Sequence, residues 1–167
     1  MKIRYFLLVA LLVLGLLQSR TWADVLSNGQ VVRLFNLGSS QGPRYLNGLT
    51  SSSGVELTVS PEASGTRWKV VRLERDIVAF QCLGIVSGPR WLNGFTTTGQ
   101  VKLSAKPDDD SGTRWRVHPE GKAFILECMG NVNGVRFLNG YTTSGDVELI
   151  SSLDGISGAR WKVVPSK

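Results

Sequence analysis

Residues capable of catalysis are few in this chain, and their spacing matches no catalytic motif. His118 is the only histidine, and no Ser/His/Asp order, zinc-ligand spacing or phosphate-binding glycine loop occurs. Glycoside hydrolysis needs two carboxylates, which a sequence alone does not pair, and nothing here singles out such a pair. We therefore expect no enzymatic activity and no cofactor.

Acidic side chains offer one candidate for metal binding. Asp108, Asp109 and Asp110 carry oxygens of the kind that calcium prefers, and Glu62 and Asp154 stand in matching loops. The run lacks the glycine and the terminal glutamate of an EF-hand loop. We interpret it as a solvated loop and expect no metal site.

Three asparagines, each followed by glycine, are the first candidates for ligand binding: Asn47, Asn93 and Asn139. An asparagine side chain both donates and accepts hydrogen bonds, and glycine lets a partner approach closely, a combination that suits sugars. A turn or a β-bulge uses the same pair of residues. Both interpretations stay open on the sequence alone.

An aromatic residue stands two positions before each asparagine: Tyr45, Trp91 and Phe137. A second apolar residue stands two positions after it: Leu49, Phe95 and Tyr141. Residues two apart on a strand share a face. If that face is exposed, it offers an aromatic platform to a sugar ring; if it is buried, it is packing.

These residues belong to a threefold internal repeat, the main signal in the sequence. The first block, Gly42-Pro-Arg-Tyr-Leu-Asn-Gly-Leu-Thr50, recurs as residues 88–96 and 134–142, 46 residues apart each time. The second block, Ser64-Gly-Thr-Arg-Trp-Lys-Val70, recurs as residues 111–117 and 157–163, with spacings of 47 and 46 residues. One residue was therefore gained or lost in the loop before the second block.

Each repeat predicts four short strands. Apolar, polar, apolar triplets such as Val55, Glu56 and Leu57 have the period of a half-buried strand, and turns rich in Gly, Pro, Asn, Asp and Ser separate them. Units this small cannot bury a hydrophobic face alone, so three of them must close on one another. We predict an all-β protein with a pseudo-threefold β-trefoil in residues 24–167, with repeats at about 31–74, 77–120 and 123–165. A propeller, the alternative, needs at least four blades.

Equivalent positions of the three repeats are expected to form the core. The expected core comprises Trp68, Trp115, Trp161, Val70, Val117, Val163, Leu46, Leu92, Leu138, Leu57, Leu103 and Leu149. Two sets of repeated arginines are Arg44, Arg90 and Arg136, and Arg67, Arg114 and Arg160. Their planar guanidinium groups suit capping of backbone carbonyls or stacking on tryptophan, and a ligand site is the alternative.

The two cysteines share one repeat position, Cys82 and Cys128, where repeat one has Asn36. A disulfide is attractive in a secreted protein, but the two Cα atoms must then lie within about 7 Å. A bridge and two buried thiols stay equally open.

The N-terminus predicts export. Lys2 and Arg4 precede the apolar residues 6–17, and cleavage is possible after Thr21-Trp22-Ala23, a pattern typical of a signal peptide. The run is shorter than the roughly 20 residues that span a bilayer, although an uncleaved anchor is the alternative. We expect residues 1–23 to be removed and the mature chain to be secreted, or periplasmic in a bacterium, without spanning a membrane.

Removal of that segment also changes the charge. Without Lys2, Arg4 and Arg20 the 19 basic residues become 16, against 13 acidic ones. The isoelectric point near 9.7 is therefore no sign of nucleic-acid binding, which needs basic residues clustered on one face. We expect no nucleic-acid partner.

The motif Arg-aromatic-Leu-Asn-Gly-x-Thr, followed by Gly-Thr-Arg-Trp-x-Val, resembles two branches of the β-trefoil superfamily. One is the ricin B-type lectin group with its carbohydrate-binding modules, in which Gln-x-Trp marks the fourth strand; here the tryptophan matches and the glutamine does not. Its sugar-binding aspartate is also missing after Cys82. The other is the fascin-like group, in which a basic residue, an aromatic and Leu open the second strand; fascins bundle actin in the cytosol, which a signal peptide contradicts. The resemblance covers residues 31–164 and implies the trefoil fold.

We therefore expect a secreted, lectin-like protein with up to three related carbohydrate sites. Their residues would be Asn47, Asn93, Asn139, Tyr45, Trp91 and Phe137. Likeness of all three copies favours repeated sites whose avidity comes from multivalency. The alternative is a protein-binding trefoil, such as a protease inhibitor or a growth-factor-like ligand, that acts through one unique loop.

Overall fold

The computed structural model describes residues 26–107 and 111–166. The predicted signal peptide, residues 1–23, and the acidic residues 108–110 lie outside this part. The described residues form twelve β-strands and two short 3₁₀ turns, which confirms the all-β prediction. None of their helical segments has the length and apolar character needed to cross a bilayer.

Each repeat contributes four strands, as predicted. Repeat one holds β1 (Val31–Asn36), β2 (Tyr45–Leu49), β3 (Gly54–Thr58) and β4 (Trp68–Arg72). Repeat two holds β5 (Ile77–Cys82), β6 (Trp91–Gly94), β7 (Val101–Ser104) and β8 (Trp115–Glu120). Repeat three holds β9 (Ala123–Cys128), β10 (Phe137–Gly140), β11 (Val147–Ile150) and β12 (Trp161–Pro165). The 3₁₀ turns, Ser64–Thr66 and Ser111–Thr113, precede β4 and β8.

Six of the strands close into an antiparallel barrel, in the order β1, β4, β5, β8, β9, β12 and back to β1. The others form the hairpins β2–β3, β6–β7 and β10–β11. The hairpins bond to one another, because the amides of Leu57, Leu103 and Leu149 donate to carbonyls of neighbouring hairpins at 2.7, 2.8 and 2.7 Å. Six barrel strands capped by three hairpins are the predicted β-trefoil.

The three repeated tryptophans form the predicted core layer. Trp68, Trp115 and Trp161 are fully buried. Each indole N–H donates to a carbonyl of the hairpin in its own repeat, that of Leu46, Leu92 or Leu138, at 2.9, 3.0 and 3.0 Å. Each tryptophan thereby ties a barrel strand to a hairpin, and the buried N–H has the partner that it requires.

Arg44, Arg90 and Arg136 brace the loops that lead from the barrel into the hairpins. Nη1 of Arg90 donates to the carbonyls of Cys82 and Gly84 at 3.2 and 2.6 Å, and Nη2 donates to that of Val86 at 3.1 Å. The other two arginines make the same three bonds. The carbonyl-capping interpretation of this set is confirmed.

The second set of arginines joins successive repeats at the surface. Arg114 pairs with Glu74, and Nε of Arg160 lies 2.7 Å from Oε2 of Glu120. Both acids stand just after or at the end of the fourth strand of the preceding repeat. Arg67, the equivalent in repeat one, is exposed.

The two thiols are free and fully buried. Sγ of Cys82 lies 3.6 Å from the carbonyl oxygens of both Gly48 and Gly65, and Cys128 makes the equivalent contacts. Burial raises the pKa of the Cys82 thiol. Asn36 fills the same position in repeat one, where its amide donates to the equivalent turn at 2.6 Å. Each thiol thus contacts the hairpin and the turn of the preceding repeat, and the two thiols are not bridged in this structure.

Candidate ligand-binding face

The three asparagines of the repeat lie in the interior. Asn47, Asn93 and Asn139 are 6%, 1% and 2% exposed. A turn covers them: a Cβ atom on Gly65 would stand 2.5 Å from Oδ1 of Asn47, so only glycine fits there. Their burial favours the structural interpretation, and a direct role in ligand binding stays a prediction.

In repeat one the hairpin also binds the asparagine side chain from its other strand. In repeat one, Nδ2 of Asn47 donates to Oε1 of Glu56 at 3.0 Å. In repeat three, Gly158 takes the place of Gly65, because a Cβ atom there would stand 2.6 Å from Oδ1 of Asn139. The Asn-Gly step therefore packs a hairpin onto the turn that precedes the fourth strand.

The aromatic residues Tyr45, Trp91 and Phe137 are half-buried on the outer surface. Each lies directly opposite one residue of the adjoining barrel strand, which in turn lies opposite a cation on the next strand. We call these triplets the outer strips: strip one is Lys162, Phe35 and Tyr45; strip two is Lys69, Gln81 and Trp91; strip three is Arg116, Glu127 and Phe137. Directly opposed residues of an antiparallel sheet share a face, so each strip is one continuous patch.

Strip one is filled by its own side chains. The rings of Phe35 and Tyr45 meet edge to face, with centroids 5.1 Å apart and planes at 81°. Nζ of Lys162 lies 4.5 Å from the Phe35 centroid, and Cζ of Arg44 lies 5.7 Å from it. These cation–π contacts occupy the aromatic surface that a ligand would need.

Strip three is engaged in a network of charges. Oε2 of Glu127 lies 2.8 Å from Nε2 of His118 and 3.7 Å from Nη1 of Arg116. Nε of Arg116 also lies 3.3 Å from Oδ2 of Asp76. The only histidine of the chain thus supports a half-exposed ion-pair network on the sheet, and Phe137 stands beside it.

Strip two differs from the other two because its side chains are not engaged by neighbouring residues that the structure describes. Lys69 is exposed, and Gln81 and Trp91 are half-buried. Their side chains make no hydrogen bond, ion pair or ring contact with another residue of the described part. An indole, a primary amide and an ammonium group therefore face solvent side by side.

Of these three residues, only Trp91 was predicted from the sequence to bind a ligand, and Lys69 and Gln81 were not. Gln81 does not recur in the other repeats, where Phe35 and Glu127 take its position, whereas Lys69 recurs as Arg116 and Lys162. The signal that could have found Gln81 is a departure from the repeat on a strand face that the pattern already marked as outward. A search for recurring residues passes over such positions.

A second exposed feature of repeat two is the loop of residues 83–90. Ile85 is 86% exposed and Val86 is 50% exposed at its tip, although the Arg90 guanidinium braces the loop backbone from inside. Gly88 has φ +153°, and a Cβ atom there would lie 2.0 Å from the Thr50 carbonyl oxygen. The loop is thus fixed against the hairpin of repeat one while it presents two apolar side chains.

Comparison with solved structures places the chain among β-trefoils. A designed protein with threefold symmetry, ThreeFoil, matches 81% of this chain and 99% of its own length, with a TM-score of 0.65 and 16% identity. A GlcNAcα1-4Gal-releasing endo-β-galactosidase from Clostridium perfringens matches 82% of this chain with a TM-score of 0.64 and 11% identity. The match spans 32% of that enzyme. Likeness at these identities establishes the fold.

Comparison by sequence gives no match. No known protein-family model matches the chain, and no curated protein does. The function must therefore be inferred from the side chains of this protein.

Proposed function

We propose that this protein is a secreted, non-catalytic carbohydrate-binding β-trefoil. The observation that carries the proposal is strip two, where the half-buried indole of Trp91 stands beside the unengaged amide of Gln81. An indole face packs against the apolar face of a sugar ring, and an amide both accepts from and donates to sugar hydroxyls. A few polar groups beside aromatic surface are the usual composition of a ligand site.

The rigidity of the surroundings supports this proposal. Trp91 opens β6 directly after Arg90, whose guanidinium is fixed by three backbone carbonyls. Asn93 is buried two residues further on. Binding groups on a rigid strand keep their geometry better than groups on a free loop.

Tyr45 and Phe137 take the same place in the other repeats and would form related, weaker sites.

The N-terminal sequence pattern supports export. One structural neighbour is an enzyme that acts on a carbohydrate, and the trefoil-like part amounts to about a third of it. These observations support a sugar-binding module.

A glycan array probed with the purified mature protein tests the proposal. We expect binding that Trp91→Ala removes, while Tyr45→Ala and Phe137→Ala, which alter matched positions of the other repeats, retain most of it. Unchanged tryptophan fluorescence of the core and an unchanged urea midpoint would verify that each variant is folded. A wild-type protein that binds no glycan would refute the proposal.

The loop of residues 83–90 favours one second candidate, a protein-binding trefoil. The exposed side chains Ile85 and Val86 on a braced loop have the form of an apolar anchor for a protein groove. Repeat one has Ser39 and Ser40 at these positions, so the double variant Ile85→Ser and Val86→Ser is a conservative test. Inhibition of a protease panel by the wild type, lost in this variant while Trp91→Ala retains it, would establish this function instead.

A further inference from the structure

One position on the outer face of the hairpins changes its charge between repeats. Directly opposite the repeated asparagine stand Glu56 in β3, Lys102 in β7 and Glu148 in β11. Each of the two glutamates forms a hydrogen bond within its own repeat. Glu56 accepts from the Asn47 amide at 3.0 Å, and Glu148 accepts from the Tyr141 hydroxyl. A lysine cannot accept either bond. Repeat two has therefore exchanged a structural carboxylate for a cation.

Lys102 is exposed and makes no side-chain hydrogen bond or ion pair with another residue of the ranges 26–107 and 111–166. The β6–β7 register places Trp91 opposite Ser104, so Lys102 is the diagonal neighbour of Trp91 on the same face, at a distance of about 7–8 Å between backbones. The long lysine side chain spans such a distance.

Lys69 flanks the indole on its other side. It lies opposite Gln81, which lies opposite Trp91, so two strand spacings of about 4.8 Å separate Lys69 from Trp91. In strip three the position of Gln81 is the carboxylate Glu127, which would repel an anion. Strip two has a neutral amide there, and its two ammonium groups stand on either side of an aromatic platform.

We propose that strip two together with Lys102 is a site for an anionic sugar, one that bears a carboxylate or a sulfate group. This inference rests on the proposed function and names its ligand class. The indole packs against the ring, the Gln81 amide bonds a hydroxyl, and the ammonium group of Lys102 or Lys69 pairs with the anionic substituent. The other two repeats lack this set, so the protein has one strong site rather than three equal ones.

The test compares one uronic-acid oligosaccharide with its neutral methyl ester and with a sulfated oligosaccharide of equal length, by calorimetry on the mature protein. Lys102→Glu restores the residue type of the other two repeats, and Lys122→Glu makes the same charge change at an exposed turn position remote from the strip. We expect Lys102→Glu to weaken binding of the acidic sugar at least about tenfold, equal to 1.4 kcal/mol. Lys122→Glu should leave it within about twofold, since screening reduces a distant surface charge to little.

Each other outcome identifies what has failed. Equal affinity for the acid and its methyl ester would overturn the anionic-sugar site while carbohydrate binding survives. An equal loss in Lys102→Glu and Lys122→Glu would overturn the location. Binding of polyglutamate as tight as that of the acidic sugar would mean that the site recognises negative charge and not the sugar, which would overturn the anionic-sugar site. Absence of binding to every sugar would overturn the proposed function as well. Tighter binding of the carboxylated or of the sulfated probe than of the methyl ester would instead support the proposal and identify the substituent.

Discussion

Replacing Asn47 with alanine separates the two interpretations of the repeated asparagine. Asn47 is 6% exposed, and its amide donates to Glu56 at 3.0 Å. A hydrogen bond to a charged acceptor contributes about 1.5–3 kcal/mol, and the partial exposure of Glu56 reduces this to about 1–2 kcal/mol. Lost packing against the turn at Gly65 adds about 1 kcal/mol. We expect the free energy of unfolding to fall by about 2–3 kcal/mol.

Urea unfolding followed by tryptophan fluorescence measures this change, because three of the five tryptophans are in the core. With a slope of about 2 kcal/mol per molar urea, the midpoint should fall by about 1 M. Glu56→Gln keeps an acceptor for the amide and should cost less than about 1 kcal/mol. Thr143→Ala, at an exposed position of another hairpin, should stay within about 0.5 kcal/mol.

An Asn47→Ala protein with an unchanged midpoint and impaired glycan binding would refute this reasoning and establish the amide as a ligand contact. The triple variant at Asn47, Asn93 and Asn139 cannot decide the question. Losses at distant sites add, so about 2–3 kcal/mol at Asn47 and about 1 kcal/mol of packing at each of the other two give about 4–5 kcal/mol. This approaches the lower end of the 5–15 kcal/mol that a small domain has, so part of that variant would be unfolded and a loss of binding in it would carry no information.

Three further predictions concern the core, the thiols and a surface tyrosine. Trp115→Phe removes the N–H that bonds a hairpin carbonyl and leaves a gap, so the same urea assay should register a loss of about 2–4 kcal/mol; a loss below about 1 kcal/mol would contradict the anchoring role. Cys82 and Cys128 should resist iodoacetamide in the native protein and both take the label in denaturant, whereas no label in denaturant would reveal a bridge. The hydrogen bond to Glu148 raises the pKa of Tyr141 above its ordinary 10.0, so the stability that it contributes is present below pH 10 and lost as the pH rises through the folded-state pKa. Tyr141→Phe should therefore flatten the fall of Tm above that pH, and identical Tm curves would exclude the effect.

The fold could be predicted because its determinants recur. A tryptophan at one place in every repeat, with an apolar residue two positions later, specifies an inward face of a barrel strand three times over. The role of Arg44 and its equivalents could also be predicted, since one planar guanidinium group beside a Gly-rich loop can donate hydrogen bonds to several backbone carbonyls. Repetition averages out the ambiguity that any single strand pattern would have.

The burial of the asparagines could not be predicted in the same way. Alternation places Tyr45 and Asn47 on one face of β2, and the structure agrees. What covers Asn47 but leaves Tyr45 half-exposed is the turn at Gly65, which is 18 positions further along the chain. Its close approach depends on the absence of a side chain, and the distance of that approach is a property of the assembled trefoil. Period-two patterns predict which face a residue takes and not what lies over it.

The cysteines illustrate the same limit and also indicate where function can evolve in this fold. The position shared by Asn36, Cys82 and Cys128 accepts either an amide or a thiol, because the structure requires only a small donor directed at a turn carbonyl. The outward positions of the same strands have still fewer constraints, since the buried tryptophans and the carbonyl-capping arginines already stabilise each repeat. Phe35, Gln81 and Glu127 could therefore diverge without loss of the fold. The three repeats have similar residues at buried positions and different residues at outward positions, so function is best sought at the outward positions that differ. In strip two these outward side chains make no hydrogen bond, ion pair or ring contact with the neighbours that the structure describes.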